Sequence, residues 1–128
     1  MPRVAERTVL IVEPNSDARA RLRATLEAKG YSVTAVSSGD EALSVVGKAR
    51  IRLVVTELYL ENRKSRCLLN AICESSPYGR TKVLAYTRHG RARDRAWAVA
   101  AGADGYVLKR NGEARLLDVA GRLTAGGR

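Results

Sequence analysis

Four polar residues each stand at the end of a short apolar run. Glu13 follows Thr8–Val12 (T-V-L-I-V), and Glu57 closes Leu53–Glu57 (L-V-V-T-E). Thr87 ends Lys82–Thr87 (K-V-L-A-Y-T), and Lys109 follows Gly105–Leu108 (G-Y-V-L). Short runs rich in Val, Ile and Leu are the pattern of strands buried on both faces of a parallel sheet. In an open α/β sheet, ligands bind beyond the carboxyl ends of the strands. Two carboxylates, a hydroxyl and an ammonium at that edge are placed for recognition or for polar chemistry. Each is an ordinary loop residue alone; together, on four different strands, they point to a functional site.

Other chemistries find less support. His89 is the single histidine and sits in the turn Arg88-His89-Gly90, with no Cys or second His nearby to complete a metal site. It also has no Ser or Cys at triad spacing. Cys67 and Cys73 form neither a C-x-x-C pair nor a zinc pattern. On one helix they would face different ways, as reduced thiols. Asp94 and Asp104 read as helix-surface and turn groups. Neither G-x-x-x-x-G-K-[ST] nor G-x-G-x-x-G occurs, so nucleotide hydrolysis and dinucleotide binding are not indicated.

The elements that must position the four residues follow from periodicity and punctuation. Glu13-Pro14-Asn15-Ser16-Asp17 is turn chemistry, with Asn15 or Ser16 able to cap a helix over Ala18–Lys29. Its apolar stripe is read as Ala20, Leu22 and Leu26, with Ala18 beside them, and Gly30 ends it as a C′ residue. Tyr31–Val36 alternates like a strand. Ser38-Gly39-Asp40-Glu41 is a capping box opening a helix over Ala42–Lys48. A polar loop (Glu61–Ser65) leads to a helix over Arg66–Glu74 with Leu68, Leu69 and Ile72 inward, and Ser75–Gly79 breaks the chain. Ala92–Ala101 is a helix of small residues ended by Gly102. Asn111 can cap a last helix over Glu113–Leu123, whose apolar positions are Leu116, Leu117, Val119 and Ala120. Five strands alternating with five helices predict a three-layer α/β/α fold, a parallel sheet covered on both faces. The whole chain, 1–128, is read as a single domain with a core from about 8 to 123.

Composition bounds the function. With 128 residues and 45% hydrophobic content, the chain can build a core without disulfides or metal. It lacks both an apolar run long enough for a membrane span and the apolar segment of a signal peptide, so the expected location is cytoplasmic. A net charge of +10 fits either acidic partners, nucleic acid included, or simply a solvated, arginine-rich surface, and the latter accords better with the spread of the charges. The basic residues are spread over many segments, Phe is absent and aromatics are only 5%, so no platform for base stacking is evident.

Three segments carry a family likeness: V-L-I-V-E at the start, L-E-A-K-G-Y-S-V followed by S-S-G-D-E-A-L, and A-G-A-D-G-Y-V-L-K near the end. With them the chain, from about Thr8 to Leu123, resembles a response-regulator receiver domain, the phosphoacceptor module of bacterial two-component phosphorelay signalling. The resemblance implies a flavodoxin-like, doubly wound sheet of five parallel strands in the order 2-1-3-4-5. It implies a domain that takes a phosphoryl group from a histidine kinase onto an aspartate, with Mg²⁺ bound. Thr87 matches the family's switch threonine, Tyr106 its switch aromatic and Lys109 its phosphoryl-contacting lysine. The acceptor aspartate falls on Glu57, the acidic pair after the first strand on Glu13-Pro14, and the proline after the lysine on Arg110.

These departures bear on chemistry. Mg²⁺ requires near-octahedral oxygen ligands at about 2.0–2.1 Å, and Pro14 offers no side-chain oxygen. Glu57 is longer than aspartate by one carbon–carbon bond, about 1.5 Å. The expectation is therefore an atypical, degenerate receiver: no catalytic residues, no metal or cofactor, and signalling by protein contact independent of aspartyl phosphorylation. Glu57 either mimics a phosphorylated state, with one charge against the phosphoryl group's larger one, or merely neutralises Lys109. Two other functions stay open. One is a Mg²⁺-dependent, phosphotransfer-competent regulator. The other is a nucleic-acid or anion binder, with Arg63, Lys64, Arg88, Arg91, Lys109 and Arg110 around a phosphate or sulfate. In receivers, the face of the fourth helix, fifth strand and fifth helix commonly carries dimers or partners. Here it would include Arg91, Arg95, Trp97 and Arg110, serving a protein partner or a homodimer. Trp97 is read either as an exposed interface residue or as a filler beside small alanines.

Overall fold

The computed structural model describes residues 7–60, 72 and 81–125. Five strands, β1 (Thr8–Val12), β2 (Ser32–Val36), β3 (Leu53–Thr56), β4 (Lys82–Thr87) and β5 (Gly105–Leu108), form one sheet. Every pairing is parallel and the order is β2-β1-β3-β4-β5. Four helices are described, α1 (Ser16–Glu27), α2 (Gly39–Lys48), α3 (Ala92–Ala100) and α4 (Glu113–Ala125). The parallel sheet is the one expected from the alternation of elements, and its order is the doubly wound, flavodoxin-like one that the family resemblance implies. Ile72, within the expected helix Arg66–Glu74, is helical and fully buried. The rest of that helix, the loop Glu61–Ser65, the break Ser75–Gly79 and Arg63, Lys64, Cys67 and Cys73 lie outside the described residues.

Strand alternation divides the core. Val9 and Ile11 point to one face with Leu53, Val55, Leu84 and Val107, where Leu22 and Leu26 of α1 and Leu116 and Ala120 of α4 cover them. Leu10 and Val12 point to the other with Val54 and Val83, covered by Ala42 and Val46 of α2 and by Ile72. Leu58, Ala85 and Ala98 form a smaller apolar cluster under α3. Consecutive residues of β1 thus serve opposite layers, as the period of two requires.

Helix ends were legible in the sequence. Asn15 caps α1, its Oδ1 accepting the Ala18 N–H at 2.8 Å. Gly30 adopts φ 93°, its N–H donating to the Glu27 carbonyl at 3.0 Å while the Tyr31 N–H donates to Leu26 at 3.2 Å. That pair of bonds makes Gly30 the C′ residue of a Schellman motif. Gly102 (φ 109°) repeats the motif after α3, with Gly102 N–H to Val99 and Ala103 N–H to Ala98, both 3.0 Å. Ser38 caps α2, and Glu41 reaches the Ser37 N–H at 3.0 Å, one residue before the cap. One residue of the expected core is misplaced: Ala20 is exposed. It lies two residues from Leu22, about 200° around the helix, and so faces away from the sheet.

Leu116 is fully buried where α4 meets the sheet. Replacing it with alanine is expected to lower unfolding stability by about 2–5 kcal/mol in a urea titration. A loss much below that would mean that α4 is not docked through this residue.

Candidate functional site

The register fixes the roots of the site. Val12 pairs with Thr56 across β1 and β3, and Thr87 pairs with Leu108 across β4 and β5. The ladder runs one rung further: the Glu13 N–H donates to Val36 at 3.1 Å, and the Glu57 N–H donates to Val12 at 3.0 Å. Both glutamates therefore leave the sheet from backbone held in place. On the other side, Arg19 clasps the β1–α1 turn, donating to the carbonyls of Glu13 (2.8 Å) and Pro14 (3.3 Å).

The four residues meet. The Lys109 Nζ lies 2.8 Å from Glu13 Oε1 and 3.2 Å from Glu57 Oε1. Glu57 Oε2 accepts the Leu58 N–H at 2.8 Å and the Thr87 hydroxyl. Glu13 Oε2 accepts the Asn15 N–H at 3.1 Å. Every carboxylate oxygen of the pair thus has a protein donor. Glu13 and Thr87 are buried, and the Glu57 side chain is only 12% exposed. Burial alone would push the Lys109 ammonium down, but its hydrogen bond to Glu13 and the fields of Glu57 and Glu13 outweigh that. The net result is a lysine held above its usual 10.5. Pro14 is exposed and has no side-chain oxygen.

A hydrogen-bond relay leads away from Glu57. Thr87 Oγ1, which donates to Glu57, also accepts the His89 N–H at 3.3 Å. The Tyr106 hydroxyl donates to the His89 carbonyl. Thr87 and Tyr106 therefore hold the two sides of one peptide residue. The Tyr106 ring is half-buried and packs on the Leu58–Ala85–Ala98 cluster, with Arg95 Cζ 4.7 Å above its centroid. Arg91, at the N-cap of α3, and Arg110, in the 3-10 turn Lys109–Asn111, are exposed.

Two features of this edge depart from the reading of the sequence. Asp94 is not a helix-surface group: it is buried, and its carboxylate accepts the Tyr59 hydroxyl and, at 3.1 Å, the Arg91 N–H. The Tyr59 bond holds the Asp94 carboxyl below its usual range. The same bond, with burial, pushes the Tyr59 phenol up to about 12. Nothing in the sequence marks Tyr59. Its ring meets His89 edge-on at 4.8 Å and lies 5.7 Å from Trp97. Trp97 is half-buried, packed against the α2-side core and the cluster under α3. An acid three residues after the helix-opening Arg91 is the spacing of a capping interaction, the one local signal that could have turned Asp94 inward. Asp104, a turn residue as expected, accepts the Val83 N–H at 2.8 Å.

Removing the lysine tests the pairing. Lys109→Met leaves two nearly buried carboxylates without their counter-charge and is expected to cost about 1–3 kcal/mol. Because folding raises the Lys109 pKa, its stabilisation is complete below the unfolded value of 10.5 and is lost as pH rises through the higher folded value. The melting-temperature difference between the unaltered protein and Lys109→Met should be flat from pH 7 to about 9.5 and shrink above about 10.5. A difference that shrinks near pH 8 would contradict this.

Similarity to known proteins agrees with this geometry. The family model described as response regulator receiver domain matches residues 9–120. An uncharacterised 14.6 kDa protein of Leptolyngbya boryana is 30% identical over 110 residues, covering 85% of this chain and 83% of the relative. The chemotaxis protein CheY4 of Vibrio cholerae superposes with a TM-score of 0.83 at 26% identity, over 91% of this chain and 97% of that one. A CheY-like receiver of Methanospirillum hungatei shares the fold at a TM-score of 0.84 and 21% identity, with 94% of each chain covered. A parallel sheet in this order, with the family's match running from the first strand into the last helix, leads to one conclusion: the chain belongs to the response regulator receiver domain family.

Proposed function

We propose that this receiver domain signals through protein–protein contact, without enzymatic turnover and independently of aspartyl phosphorylation. In this reading Glu57 occupies the acceptor position and Glu13-Pro14 the position of the acidic pair. The observation that carries it is the engagement of all four oxygens of Glu13 and Glu57 by protein donors, with Lys109 bridging the two carboxylates.

A Mg²⁺ site does not fit this donor set. The ion asks for several hard oxygen ligands in near-octahedral array. Pro14 supplies none from its side chain, and the Lys109 ammonium already balances the carboxylates at 2.8 and 3.2 Å. A cation placed there would have to displace the lysine from both. A glutamate also gives no aspartyl phosphate, and its longer arm is already spent on Thr87 and Leu58. Glu57 is thereby a fixed charge on the switch: about one unit, against about −1.5 to −2 for a phosphoryl group. It holds Thr87, and through His89 it is linked to Tyr106, in one arrangement.

Trp97 is the only tryptophan and touches the Tyr59 ring, so its emission reports on this edge. Acetyl phosphate or beryllofluoride with Mg²⁺ is expected to leave that emission unchanged. Glu57→Asp combined with Pro14→Asp is expected to acquire a saturable, Mg²⁺-dependent change, and Glu57→Asp alone is not. A saturable response of the unaltered protein would overturn the proposal.

A further inference from the structure

We infer that the cleft between α1 and the start of α4 is a binding site for a free amino acid with an apolar side chain. The inference goes beyond the reading above and stands whether or not the domain is phosphorylated.

On the sheet face that α1 and α4 cover, the two helices leave a cleft of about 410 Å³. Small-molecule sites occupy about 300–1,000 Å³. Ala18 and Leu22, one turn apart on α1, line it together with the Tyr86 ring of β4. Glu13 and Lys109 also border it, engaged with each other at 2.8 Å, and the Lys109 Nζ lies 5.9 Å from the centre of the Tyr86 ring.

The other polar groups of the cleft are unspent. Tyr86 is only 9% exposed, yet its hydroxyl makes no hydrogen bond among the described residues and opens to the cleft. Burial, and then the charge of Glu113, push this phenol above its usual 10.0 against the pull of Lys109 and Arg21, so it stays protonated and can donate. Arg21 lines the cleft and makes no ion pair among the described residues, neither with Asp17 one turn before it nor with Glu113 across from it. Glu113 Oε1 accepts the Thr25 hydroxyl at 2.9 Å, and its second oxygen has no partner among the described residues. The start of α4 is also open. Asn111, expected to cap it, makes no side-chain hydrogen bond there, and Gly112, which has no side chain to offer, stands before Glu113.

These groups specify a ligand with both charges. A carboxylate suits Arg21, the Tyr86 hydroxyl and the positive end of α4. An ammonium suits Glu113. A lone anion would meet Glu13 and Glu113 without compensation, and a lone cation would meet Arg21 and Lys109; a zwitterion meets one free charge of each sign. For the same reason a nucleotide or polyphosphate carries too much negative charge for this cleft. An apolar side chain on the ligand covers Ala18, Leu22 and the Tyr86 ring, which otherwise face water.

The test is calorimetric titration of the unaltered protein with L-leucine, L-phenylalanine and L-tryptophan. 3-Phenylpropionate, which lacks the ammonium, phenethylamine, which lacks the carboxylate, and glycine, which lacks the apolar body, serve as comparisons. At least one of the three amino acids is expected to bind saturably at or below about 1 mM, and each comparison compound at least about tenfold more weakly. Tyr86→Phe is expected to weaken that binding about fivefold, and Arg21→Gln and Glu113→Gln about tenfold each. Arg23→Gln removes an ion-paired arginine of the same helix outside the cleft and is expected to change it less than about twofold. Should a charge variant fail to fold, Tyr86→Phe, which keeps the ring, and the comparison compounds still decide. The inference is overturned if none of the three amino acids saturates by about 10 mM. It is equally overturned if 3-phenylpropionate or phenethylamine binds as tightly as phenylalanine, or if Arg23→Gln weakens binding as much as Arg21→Gln.

Discussion

The Lys109 ammonium, suspended between Glu13 and Glu57, is the interaction on which the organisation of this edge depends. Its three members come from three separate strand ends. They can meet only if β1, β3 and β5 run parallel and bring their carboxyl ends to the same edge; the register carries β5 two residues beyond the ends of β1 and β3, so that the long Lys109 side chain follows Leu108. Charges taken largely out of water are costly unless paired and hydrogen-bonded. Here each partner meets that requirement for the others: the lysine by two carboxylates, Glu13 also by the Asn15 N–H, Glu57 also by Thr87 and the Leu58 N–H. The pairing raises the lysine's pKa although burial opposes it, so attraction outweighs desolvation at this site.

From that centre the structure connects outward. Glu57 holds Thr87, Thr87 holds the N–H of His89, and Tyr106 holds the carbonyl of the same residue. His89 lies against Tyr59, whose hydroxyl is bound to Asp94 at the start of α3. A continuous set of contacts thus runs from the buried charge pair to the helix bearing the exposed arginines. Here the charge at its origin is covalently part of the chain.

Much of this is legible in the amino-acid sequence. The four polar residues could be grouped because strands in a parallel sheet share a carboxyl edge, and the strand boundaries came from apolar runs. Gly30 and Gly102 could be assigned because a positive φ at a helix end favours glycine. The misreadings have physical causes. Ala20 is apolar enough for the core, but it lies about 200° around α1 from Leu22, and the stripe that meets the sheet is Leu22 and Leu26. Asp94 and Tyr59 are 35 residues apart, and nothing local announces that one will bury its charge against the other. The two readings of Trp97 likewise depended on Tyr59, whose loop position gave no hint of the ring it would cover. Side-chain partners set by tertiary placement are what a single sequence withholds.

The most direct measurement is a set of amide nitrogen–proton correlation spectra of the unaltered protein, of Glu57→Gln, and of the unaltered protein with beryllofluoride and Mg²⁺. If the glutamate's charge sets the switch, neutralising it will move the Thr87, His89, Tyr106 and Lys109 amides, and the reagents will leave them in place. The contrary result is a Glu57→Gln spectrum changed only beside residue 57, together with reagent-induced shifts that reach Thr87 and Tyr106. That outcome would mean that the reversible chemistry of a receiver survives and that Glu57 does not set the state.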